Sequence, residues 1–150
     1  MADIILAYLK GHGNASFTGL YEQILRQGGY RVGTLDLLSG SSQMPAPFKP
    51  DLVMLSTDAT TPISLRESAY RSSTETGLPV LVAEFNSEIN PDAVELNVHS
   101  NDIYLNPFKQ KDRLGEIIPE CIDTLLAQPR RVIENSKPLG VLQQETTKLT

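Results

Sequence analysis

Pro50-Asp51-Leu52-Val53-Met54-Leu55 is an unbroken apolar run behind a proline and an aspartate, and it ends in the polar Ser56-Thr57-Asp58. A strand with one face in water alternates apolar and polar residues. A run without alternation has both faces buried, as in a parallel sheet covered by helices on each side. Ile4-Ile5-Leu6-Ala7-Tyr8-Leu9, ended by Gly11-His12-Gly13-Asn14, reads the same way, and so does Pro79-Val80-Leu81-Val82-Ala83. Tyr30 to Leu37 alternates enough for a further strand, and Asp102 to Leu105 makes a short last one. Between these strands, Phe17, Leu20, Tyr21, Ile24 and Leu25 recur at helical spacing up to the stop at Gly28-Gly29.

Further helices are expected over the polar Ile63 to Thr76, briefly from Asn90-Pro91-Asp92 to about Leu96, and over Gln110 to Ala127. The last carries Leu114, Ile117, Ile118, Ile122, Leu125 and Leu126 on one face, with Pro119 inside it as a source of a kink or a late start. Ser39 to Pro50 gathers Ser, Gly and Pro with little periodicity, so the second helix is weak or missing. The expectation is an α/β, flavodoxin-like doubly wound fold: five parallel strands in the order 2-1-3-4-5 with right-handed crossovers. Residues 1–128 form that domain, and 129–150, which mix prolines, charges and threonines, read as a C-terminal tail or linker.

Composition narrows the function classes. A chain of 150 residues with 40% hydrophobic and 21% charged content has room for one ordinary globular core. A net charge of −5 and a single adjacent basic pair, Arg130-Arg131, argue against a nucleic-acid footprint. Cys121 is the sole cysteine, so no internal disulfide forms, and no Cys/His cluster has metal-ligand spacing. The N-terminal apolar run is too short for a bilayer and lacks a basic lead-in. A cytoplasmic protein with no membrane partner is expected.

Pro50 to Leu55, Leu78-Pro79-Val80-Leu81-Val82, and Asp102-Ile103-Tyr104-Leu105-Asn106-Pro107-Phe108 followed by an amphipathic helix resemble, in this order and spacing, the receiver domains of response regulators. The resemblance covers about Ile4 to Ala127. It implies acidic residues after the first strand to hold Mg²⁺, and an aspartate ending the third strand to accept phosphate. It further implies a switch hydroxyl ending the fourth strand and a lysine before the Pro-Phe step, which with the metal neutralises the phosphoryl charge. Those places fall here on Tyr8 and Leu9, on Ser56, on Glu84 and on Asn106. All depart from the pattern. Tyr8 and Leu9 cannot ligate a hard cation, Ser56 cannot form an acyl phosphate, and Glu84 would repel a phosphoryl group. Asp58, two residues past Ser56, reads as a loop aspartate.

The resemblance therefore implies a pseudo-receiver: a degenerate site at Tyr8, Leu9, Ser56, Glu84 and Asn106, no catalysis, no cofactor and no metal. The function expected is phosphorylation-independent protein interaction or signalling, with a protein partner or homodimer on the face formed by the fourth helix, fifth strand and last helix. Glu84 is expected either to accept hydrogen bonds from Asn106, Ser56 or Thr57 in a closed polar cluster, or to point into solvent.

The alternative is a cobalamin-binding-like or flavodoxin-like ligand-binding domain. His12 stands where the former places its cobalt ligand, but Lys10 and Ala15 replace the orienting acid and the glycine, and Ala83-Glu84 replaces a Gly-Gly pair. The loop GHGNASFTG has the small residues of a phosphate loop without the order that flavin or nucleotide loops need. His99 and Cys121 have no paired base in the sequence.

Overall fold

The computed structural model describes residues 2–11, 15–87, 94–129 and 134–142. Along the chain run β1 (Asp3–Tyr8), α1 (Ala15–Gln27), β2 (Arg31–Asp36), β3 (Ser42–Gln43), β4 (Leu52–Asp58), α2 (Ile63–Thr74), β5 (Val80–Phe85), β6 (Ile103–Leu105) and α3 (Leu114–Leu126). The unalternating apolar runs become the central strands β1, β4 and β5, whose side chains divide strictly by parity. Ile4, Leu6, Leu52, Met54, Leu81 and Ala83 face α1 and α3, and they meet Tyr21, Ile24, Leu25, Ile118, Ile122 and Leu125. Ile5, Ala7, Val53, Leu55, Val80 and Val82 face the other way, against Ala69 and Tyr70 of α2. Helices on both faces of a mostly parallel sheet make a doubly wound α/β fold.

Two helix ends follow from local chemistry. After α1, Gly29 takes φ +88°, the left-handed conformation that costs glycine least. Tyr30 N then donates to Leu25 O at 3.1 Å and Gly29 N to Arg26 O at 3.1 Å, the bond pair of a Schellman cap. At the far end of the chain, α3 begins at Leu114 and not at Gln110, because residues 106–113 are tied in tight turns. It runs on through Pro119.

The expected sheet is corrected in strand number and order. Six strands lie in the order β3-β2-β1-β4-β5-β6, where five in the order 2-1-3-4-5 had been expected. The extra strand pairs antiparallel to β2, with Thr34 opposite Gln43 and Leu35 opposite Ser42. Its cause is a turn at Gly40, φ +79°, whose amide donates to Asp36 O at 2.8 Å and sends the chain back along the open edge of β2. No helix lies between β2 and β4. The returning segment instead lies on the sheet at Gly33, where a Cβ would come within 2.1 Å of Met44 Sδ and 3.1 Å of the Phe48 ring. The expected helix from Asn90 falls partly outside the described residues, and 94–99 are not helical.

Described residues of the C-terminal segment return to the domain. Leu139 and Leu142 pack against the α2-side core, and Lys137 pairs with Glu75. No helix among the described residues is long and apolar enough to cross a membrane.

Candidate functional site

In open α/β sheets, ligands and partners gather at the carboxyl ends of the strands where the strand order reverses, here between β1 and β4. Four of the five receiver-derived positions lie at this edge, but the alternation of the strands parts them. Tyr8 pairs in register with Ser56 and, on its other side, with Asp36. Ser56 Oγ lies 3.4 Å from Thr18 Oγ1 of α1, so this pair belongs to the α1 face. Tyr8 and Thr18, with Glu22 and Thr34, line a shallow cleft of about 240 Å³. Burial, then the carboxylates of Asp36 and Glu22, push the Tyr8 phenol above its usual range. Leu9 is buried in the opposite, α2-side core. His12 lies outside the described residues.

Glu84 is on the α2 face and is fully buried. Its Oε1 accepts the Thr57 hydroxyl at 3.1 Å, across the β4–β5 pairing that sets Thr57 opposite Glu84. The same oxygen accepts Arg66 Nη1 at 2.8 Å. Its Oε2 accepts the Tyr104 hydroxyl at 2.8 Å and the Leu96 amide at 3.4 Å. Arg66, 2% exposed, also donates to backbone: Nε to Thr61 O at 2.9 Å, and Nη1 to Val94 O at 2.8 Å. A carboxylate and a guanidinium out of water are tolerable only when paired and hydrogen-bonded; here both oxygens of Glu84 and both Nε and Nη1 of Arg66 have partners. Burial first, and the Glu84 charge second, push the Tyr104 phenol far above its ordinary value, so it remains a neutral donor.

Glu84 thus lies in a closed cluster with Thr57, Arg66 and Tyr104 and takes nothing from Asn106. Asn106 works in the loop after β6, where Oδ1 accepts the amides of Asn86 at 3.0 Å and Phe108 at 3.1 Å and Nδ2 donates to Asn86 O at 2.9 Å. It staples the ends of β5 and β6 together. Phe85 beside it packs between Phe17, centroids 4.8 Å apart, and Phe108, edge-on at 5.6 Å.

Asp58 Oδ1 accepts the amide of Thr60 at 2.8 Å and its hydroxyl at 2.7 Å, an Asx turn that starts the loop into α2. Near it the Tyr21 hydroxyl is buried with no hydrogen-bond partner among the described residues, and burial with the Asp58 charge pushes that phenol well up. Asp36, buried at the end of β2, accepts the amides of Lys10 at 3.1 Å and Leu38 at 3.1 Å and the Ser39 hydroxyl at 2.5 Å. Burial alone would raise its carboxyl; the hydrogen bonds from Ser39, Leu38 and Lys10 outweigh it and hold the group below its usual value. It anchors the start of the loop after β1.

Arg66 and Tyr104 were not singled out as site residues in the sequence, and the signal for Arg66 was indirect. The buried stripe of α2 is Arg66, Ala69, Tyr70 and Ser73, at helical spacing but almost without large apolar residues. The helix that looked weakly amphipathic has its hydrophobic face interrupted by one half of an ion pair.

Among the described residues, neither His99 nor Cys121 has a catalytic neighbour. The Cys121 thiol is raised by burial and by Glu120, away from the thiolate that nucleophilic chemistry needs. The His99 ring packs 5.6 Å from that of Tyr70 on the wall of a polar cleft of about 360 Å³ between α2 and residues 96–99. No group of three or more His, Cys, Asp or Glu among the described residues could hold a metal ion.

Comparison with protein-family models, with curated proteins and with solved structures finds no match to this chain, and nothing there identifies a receiver domain.

Proposed function

We propose that the chain is a protein-interaction module of pseudo-receiver type, held in one conformation and independent of phosphorylation. The observation that supports this is the bond from Tyr104 to Glu84. In the receiver family a hydroxyl at the place of Glu84 moves toward the phosphoryl group while an aromatic residue on the last strand reorients, and phosphate biases that two-state element. Here the corresponding aromatic residue is Tyr104, on β6. Its hydroxyl donates at 2.8 Å to a carboxylate that Arg66 already neutralises. Position 84 offers no hydroxyl to move, and a phosphoryl group at Ser56 would find neither metal ligands at Tyr8 and Leu9 nor a lysine at Asn106.

The binding face is β6 with α3. The fourth helix expected on that face is not formed by residues 94–99; β6 is the outermost strand of the sheet, and Glu116 and Glu120 are exposed on α3. An unpaired edge strand is a ready template for another chain. A photo-crosslinking residue at Glu120 is expected to trap a protein or a second copy of this chain, whereas the same residue at the exposed Lys49, on the amino edge of the sheet, traps none. Equal trapping at both positions would show that this face has no special role.

A further inference from the structure

In a doubly wound sheet the helix after the second strand covers the face of the first two strands. Here that stretch of chain forms the β2–β3 hairpin, and the α2-side core over β1 and β2, at Ile5, Leu35 and Leu37, lacks its helix. Leu139 and Leu142 pack there. We infer that the groove from the C-terminal end of α2 to the turn after β2 is a docking site for an extended apolar peptide of a protein partner, filled in this structure by the chain's own residues 137–142. The inference rests on the reading of the chain as a protein-binding module and adds a second surface, distinct from β6 and α3.

The mode of attachment defines the ligand. Backbone ties stand at both ends: the Lys137 amide donates to Glu75 O at 2.8 Å, and the Leu142 amide donates to Leu37 O at 2.6 Å. Lys137 Nζ lies 3.4 Å from Glu75 Oε2. Between the ties, Val141 passes so close to Gly40 that a Cβ there would meet Val141 Cγ2 at 2.9 Å. Gly40 is thus required twice, for its positive φ and for this approach. A peptide fits if it carries leucines three residues apart, a small residue between them, and a lysine two residues before the first.

The cis segment is held thinly. Of residues 134–142, only Leu139 and Leu142 are even partly buried, and Val141 is 58% exposed. The ion pair is exposed too, with side chains 68% and 41% accessible, and such pairs contribute little. Segments with few buried contacts and solvent-exposed backbone bonds open locally at a small fraction of the global unfolding free energy. Tethering nevertheless gives the cis segment an effective concentration on the order of millimolar, so an external peptide competes poorly until the segment is weakened.

The test is a fluorescence-polarisation titration of a labelled peptide with the sequence of residues 136–143, SKPLGVLQ, into the full wild-type chain and into full-length Leu139→Ser/Leu142→Ser. The double variant is expected to bind at least about tenfold more tightly than wild type, since the tethered competitor is gone. A peptide with both leucines replaced by serine should not bind, and Glu75→Lys in the double variant should weaken binding.

Absence of binding to a variant with wild-type circular dichroism, at millimolar peptide, overturns the proposal. So does a concentration-dependent dimer of the wild type with no peptide binding, which would assign the groove to the segment of a second copy. Should the variant not fold, amide exchange in the wild type decides. A Leu142 amide that exchanges far faster than the amides of β5 supports a displaceable segment, and one as protected as β5 overturns it. None of these failures touches the β6–α3 face, which the crosslinking at Glu120 tests separately.

Discussion

Glu84→Ala is expected to lower the unfolding free energy by about 3–5 kcal/mol, the usual cost of removing one partner from a buried ion pair. The loss is not the worth of one hydrogen bond. Arg66, 2% exposed, keeps its two backbone acceptors but loses the one carboxylate paired with it among the described residues, and its charge stays in the low-dielectric layer under α2. The hydroxyls of Thr57 and Tyr104 lose their acceptor at the same time. Glu84→Gln keeps an acceptor and is expected to fall between wild type and Ala, because the guanidinium remains uncompensated.

The paired replacement Glu84→Leu/Arg66→Met removes both charges and should be far less destabilising than the sum of its single changes, since apolar substitutes for a whole buried pair are often neutral. Urea unfolding of the four proteins measures this. A Glu84→Ala change within about 0.5 kcal/mol, the range of ordinary surface substitutions, would discard the locked cluster while leaving the fold intact.

Asp102→Ala should have the next largest effect, about 2–4 kcal/mol, because it strips an acceptor from two buried donors and each unsatisfied buried group costs about 1–3 kcal/mol. Asp102 Oδ1 accepts the Val80 amide at 3.0 Å and Oδ2 accepts the Tyr70 hydroxyl. Tyr70 in turn accepts the His99 amide at 2.8 Å. One carboxylate therefore ties the start of β5 to the start of β6 and, through Tyr70, to α2. Asp102→Asn keeps an acceptor for Val80 and should cost less. If Asp102→Ala and Tyr70→Phe prove equally mild in denaturant unfolding, the three elements are held by apolar packing alone and the carboxylate is incidental.

The central strands were legible because a parallel strand covered on both faces leaves an unmistakable trace, an apolar run without alternation. The end of α1 was legible for a different reason: Gly28-Gly29 names a capping geometry, not merely a stop. β3 was hidden because its two residues, Ser42 and Gln43, are exposed and polar, and pairing along an edge leaves no hydrophobic pattern. The site was legible only in part. Glu84 stood out by its departure from a family pattern, but its partners come from a helix and from β6, at separations that local periodicity cannot report. Residues 137–142 were masked by composition. Pro, Lys, Asn and Ser around Leu139 and Leu142 read as a linker, and the leucines acquire meaning only against the gap that the missing second helix leaves.

On the reading proposed above, the carboxyl edge holds one conformation that phosphate chemistry cannot shift. An amide NMR titration of the full chain with beryllofluoride and Mg²⁺ tests it most directly, since this pair mimics an acyl phosphate with its metal. The amide signals of Ser56, Glu84 and Tyr104 are expected to stay where they are at saturating reagent. Saturable shifts at these three residues, propagating along β6, would contradict it and restore a working switch.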